Sequence, residues 1–75
     1  MKNFENVQTA ALRASNDGCI VISKARYISI TGFSFQAREF CAACRENGYA
    51  LTETPGTPVM YQYMDDEVII QVTML

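Results

Sequence analysis

Seventy-five residues, 49% hydrophobic and 19% charged, make one small domain spanning 1–75 and leave no room for a second core. That balance is too apolar for intrinsic disorder, and no apolar run approaches the length of a membrane span. With three cysteines, no histidine and a net charge of −2, the chain lacks the usual base for a Ser or Cys nucleophile and has no Cys/His zinc set within one copy.

Asn3 is placed to cap a first helix running to about Ser15. Phe4, Val7, Ala11, Leu12 and Ala14 share one arc at helical spacing, with Glu5 in the first turn and Arg13 in the last, as the helix dipole prefers. Asn16-Asp17-Gly18 stops it with turn chemistry.

Cys19 to Ile30 is β-rich. Cys19-Ile20-Val21-Ile22-Ser23 and Tyr27-Ile28-Ser29-Ile30 read as two strands joined by a tight turn at Lys24-Ala25-Arg26, since one strand of that length would exceed the common range. One long bent strand is the alternative. The unbroken apolar run Ile20-Val21-Ile22 suggests a central strand buried on both faces.

Thr31-Gly32 breaks the pattern, and Ser34 is placed to cap a second helix to about Asn47. Ala37, Phe40, Cys41 and Cys44 fall on one face of it, with Arg38, Glu39, Arg45 and Glu46 on the flanks or beyond. Gly48 suits the C′ position of a Schellman motif that folds Tyr49 back onto Cys44. Tyr49 to Glu53 reads as a further strand, and Pro55-Gly56 suits the central positions of a type II turn.

The last residues alternate with period two in both arms of a hairpin. A two-residue turn at Asp65-Asp66 pairs Met64 with Glu67, Tyr63 with Val68, Tyr61 with Ile70 and Val59 with Val72. One face is then Val59, Tyr61, Tyr63, Val68, Ile70 and Val72. The other is Met60, Gln62, Met64, Glu67, Ile69, Gln71 and Thr73. The order α-β-β-α-β-β-β implies an α+β two-layer sandwich, with two helices on one face of an antiparallel or mixed sheet of four to five strands.

Candidate chemistries are few. Cys41-Ala42-Ala43-Cys44 has redox spacing, but both cysteines fall within the helix rather than at its N-terminus, where a thiolate would be stabilised, so small core residues are expected. Metal binding would need Cys19, Cys41 and Cys44 to be shared between two copies. Asp65 and Asp66 sit side by side in a turn, not across a cleft as paired catalytic carboxylates do. No glycine-rich phosphate loop is present. The expectation is a non-enzyme without metal or cofactor.

Charge is distributed unevenly. Residues 1–48 hold all the cations and balance at +2, while residues 49–75 balance at −4 with Glu53, Asp65, Asp66 and Glu67. A carboxylate-tipped ribbon with Met60, Met64 and Ile69 on one side fits a contact surface for a larger protein or nucleoprotein complex with a basic face. The expected contact residues are therefore Met60, Met64, Asp65, Asp66, Glu67 and Ile69.

The corresponding function is a small stoichiometric inhibitor acting by surface occlusion, in the format of phage or mobile-element antagonists of host defence or nucleic-acid machinery. The alternative is a homodimeric regulatory or structural subunit touching nucleic acid weakly through Lys24, Arg26, Arg38 and Arg45. Self-association would also reinforce a core expected to supply only about 3–5 kcal/mol. Met1-Lys2-Asn3-Phe4-Glu5 carries no apolar leader core and the cysteine count is odd, so a cytoplasmic, reducing setting is expected, with no membrane partner.

Overall fold

A computed structural model describes residues Met1–Leu75. In chain order the elements are α1 (Phe4–Asn16), β1 (Ile20–Lys24), β2 (Tyr27–Gly32), α2 (Ser34–Glu46), β3 (Thr52–Thr54), β4 (Val59–Met64) and β5 (Ile69–Met74). The strands form one five-stranded sheet in the order β1-β2-β5-β4-β3, parallel between β2 and β5 and antiparallel elsewhere. Both helices lie on the same face, α1 over β1 and β2 and α2 over β2 and β5, making the two-layer α+β sandwich.

The Asn3 side chain caps α1, its Oδ1 accepting the Asn6 amide at 3.1 Å. Ala11 and Ala14 are buried as expected, but Leu12 is 64% exposed. It lies at the rim of the apolar arc rather than its centre. Both helices end in the same Schellman motif. Cys19 N–H donates to Ala14 C=O at 3.0 Å beyond α1, and Tyr49 N–H to Cys44 C=O at 2.9 Å beyond α2. Gly18 and Gly48 supply the positive φ at C′, 102° and 92°.

Two strands with a turn at Ala25-Arg26 replace the alternative of one long strand, and Lys24 pairs with Tyr27. β1, however, is an edge strand rather than a central one, with Ile20 and Ile22 exposed. An apolar run shows that a strand is apolar on both faces, but not that both faces are covered. β2 continues through Gly32, whose C=O accepts the Leu75 N–H at 2.8 Å. The chain then turns directly into α2, so Ser34 is the first helical residue. Phe33 occupies the N-cap position with no side-chain hydrogen bond.

Tyr49 to Leu51 do not join the sheet: beyond the Schellman turn the buried Tyr49 packs between the rings of Phe4 and Tyr63, and pairing begins at Thr52. Gly56 has φ 155°, far from the roughly +80° of a type II turn.

The terminal hairpin forms with its pairing moved by two residues. Met64 pairs with Ile69, Tyr63 with Ile70, Tyr61 with Val72 and Val59 with Met74. A two-residue I′ turn needs positive φ at both centres, which Asp65-Asp66 does not adopt. A longer loop over 65–68 forms instead. A shift of two preserves pleat parity, so every side chain stays on the face expected of it. Val68, Ile70 and Val72 are buried together with Ile28, Ile30, Val7, Phe40 and Cys44 in one core. The hairpin is also interior: β5 lies between β2 and β4, and β4 is covered by β3. β5 therefore has no free edge, and β3 covers β4 from Met60 to Gln62.

Candidate functional site

With both helices on one face, the opposite face of the sheet is left uncovered by any element of the fold. The strand registers align its residues in rows. Ile20, Thr31, Thr73, Met60 and Thr54 form one, Ile22, Ser29, Gln71, Gln62 and Thr52 the next, and Lys24, Tyr27, Ile69 and Met64 the last. Lys24 is the one charge among them. Tyr27 O–H donates to Gln71 Oε1 at 3.0 Å, tying β2 to β5 across this surface. Met60 and Met64 are exposed, while Ile69 is half-buried between its neighbours. Methionine is flexible and polarisable, so the β4 side of the face adapts readily to a partner.

The three acids at the hairpin tip divide into two kinds. Asp65 is held inward. Its Oδ1 accepts the amides of Glu67 at 2.7 Å and Val68 at 2.9 Å, and its Oδ2 accepts Tyr63 O–H at 2.5 Å and Lys2 Nζ at 3.2 Å. The Tyr63 hydroxyl, then these two amides and Lys2, hold the Asp65 carboxyl well below its ordinary range. The same contacts push Lys2 upward, Tyr63 first and Asp65 second. Asp66 and Glu67 are exposed and make no side-chain hydrogen bond or ion pair. Met64, Asp65, Asp66, Glu67 and Ile69 are therefore brought to the hairpin-loop end of the sheet, whereas Met60 lies four residues back along β4 in the row of Thr73 and Thr54, and Asp65 faces the fold's own groups.

Lys2 lies 5.2 Å from the centre of the Tyr63 ring. Phe4, Tyr49 and Tyr63 stack edge-to-face in series, with ring centres 6.0 and 5.1 Å apart. This aromatic chain fastens the N-terminal segment to the hairpin and underlies a groove of about 300 Å³ bordered by Lys2, Phe4, Tyr49, Asp65, Glu67 and Val68. The pairing of Lys2 with Asp65 spans 63 residues and was not legible in the sequence, although the stepwise change of charge sign along the chain allowed for it.

The four alternative cations do not converge. Lys24 and Arg26 lie at the β1–β2 turn, whereas Arg38 and Arg45 lie on α2 in the other layer, Arg45 placed 6.0 Å from the Tyr61 ring. Cys19, Cys41 and Cys44 are buried and unbridged. Burial pushes the Cys44 thiol up to about 12 and also raises Cys41 and Cys19. No group of three or more Cys, Asp or Glu side chains gathers in metal-ligating geometry. The cleft between α1 and α2, about 40 Å³, has room for little more than water. No helix is long and apolar enough to cross a membrane. No family model, curated protein or solved structure matches the chain.

Proposed function

We propose that this chain is a non-catalytic protein-binding module that occludes a surface of a larger partner with the β4–β5 end of its open sheet face. The observation that carries this reading is exposed Met64 paired with Ile69 at the hairpin end, with Met60 also exposed further back along β4, on a nearly uncharged sheet with nothing packed over it. Asp66 and Glu67 at the rim favour a basic partner surface and would speed encounter with it. The format is a stoichiometric inhibitor of a nucleic-acid-handling or host-defence complex, its carboxylates standing where phosphate would otherwise sit.

Affinity capture from the native host with three forms of the chain tests it. The wild type retains a defined partner, Met64→Asp loses it, and the paired change Asp66→Lys with Glu67→Lys weakens it in a salt-dependent way. A partner held equally by all three forms removes the reading.

A further inference from the structure

β1 is an edge strand with the sequence of an interior one. Ile20-Val21-Ile22-Ser23-Lys24 contains no proline, glycine or acid, and its free edge presents the backbone donors and acceptors of every second residue. The opposite edge is guarded: β3 is three residues long, contains Glu53 and is followed by Pro55 and Pro58. Exposed apolar side chains also collect at the β1 edge. Ile20 and Ile22 are 69% and 48% exposed, and Leu12 on α1 is 64% exposed. Ala10, Arg13 and Asp17 line the cleft against α2. Leu12 lies about 200° around the helix from Ala10, on the flank turned away from α2. Because α1 packs over β1 and β2, that flank lies above the free edge.

We propose that β1 pairs antiparallel with β1 of a second copy of this chain, joining two sheets into one and setting the two α1 helices side by side. A two-fold axis normal to the sheet requires antiparallel pairing and leaves each residue on its own face. The register that pairs the whole strand puts the axis at Ile22. Ile22 then meets its own counterpart, Val21 meets Ser23, and Ile20 meets Lys24, whose methylenes lie along the isoleucine.

The same register brings Arg26 at the hairpin turn of one copy level with Gly18, where α1 of the other leads into β1. In the layer above, strand spacing of about 4.8 Å puts the α1 axes roughly 10 Å apart, within packing distance, with the Leu12 flanks between them. One symmetry operation thus satisfies the backbone edge and the three exposed apolar residues together. That self-complementarity identifies the occupant as a second copy.

Sedimentation equilibrium on the full chain tests the proposal, independently of any other partner. The wild type is expected at twice 8.4 kDa at micromolar concentration. Ile22→Lys sets like charges opposite one another at the axis and should weaken the dimer at least about tenfold, with an unchanged circular dichroism spectrum. Ile22→Cys, mildly oxidised, should give a disulfide-linked dimer, whereas Met64→Cys should not. A wild type that stays monomeric at millimolar concentration overturns the proposal. So does a dimer indifferent to Ile22→Lys, or an Ile22→Cys chain that does not cross-link. If Ile22→Lys fails to fold, the cross-link decides.

Discussion

The phenol of Tyr63 donates its proton to the carboxylate of Asp65, two residues further along, at 2.5 Å. The same carboxylate closes the hairpin loop by accepting the amides of Glu67 and Val68. Asp65 is thus the residue that fixes the loop, while its neighbours Asp66 and Glu67 remain free for contact. Asp65→Ala should lower the melting temperature clearly more than Asp66→Ala or Glu67→Ala, as measured by thermal denaturation. Equal effects at the three positions would contradict this division of roles.

Acid sensitivity follows from the same site. The folded pKa of Asp65 lies below its ordinary value of 3.8, through Tyr63 first and the Val68 and Glu67 amides next. A depressed carboxylate contributes its stability fully above the unfolded value and loses it as pH falls from there through the folded value. Urea midpoints followed from neutrality into the acid range should fall more steeply below pH 3.8 in the wild type than in Asp65→Asn, which keeps an acceptor for the loop amides but cannot titrate.

The open face should tolerate polar change without loss of fold. Met60→Ser and Met64→Ser remove no core contact, and each should alter unfolding free energy by less than about 0.5 kcal/mol. Val72→Ala, on the buried face of the same hairpin, should cost about 2 kcal/mol or more through the cavity it opens. Chemical denaturation distinguishes the two faces.

Gly32 packs against Cys19: a Cβ built on Gly32 would lie 2.5 Å from the Cys19 Sγ. Gly32→Ala should therefore destabilise by about 1–3 kcal/mol through overpacking. Cys19→Ala in the same chain removes the obstructing sulfur and should recover part of that loss. A double-mutant cycle measures the coupling.

The thiol of Cys44, raised to about 12 by burial, is expected to alkylate only on unfolding. Cys41, raised for the same reason, should react comparably slowly. Iodoacetamide labelling of the native chain followed by mass spectrometry checks this. Rapid labelling of either would mean that the α2 face opens in solution.

Much of the fold was legible because it is local. The Asn3 cap, the glycine-terminated helices, the Ala25-Arg26 turn and the alternation from Val59 to Thr73 each depend on residues close in sequence. Hairpin register escaped because it depends on how the Asp65 side chain serves two loop amides, a choice that residue types alone do not specify. The parallel pairing of β2 with β5 joins distant segments, and no local pattern encodes it. The edge position of β1 escaped for the same reason, since the sequence of a strand shows its faces and not its neighbours. At the candidate site, the outward direction of Met60, Met64 and Ile69 could be read from parity. The inward engagement of Asp65 with Lys2 could not.

The most direct measurement is amide and methyl chemical-shift mapping of the isotope-labelled chain as its captured partner is added. Perturbation centred on Met60, Met64, Ile69, Asp66 and Glu67, with the helices quiet, is the predicted result. Shifts centred instead on the outer surface of α2, at Arg38, Glu39 and Arg45, would contradict the assignment of the open sheet face as the working surface.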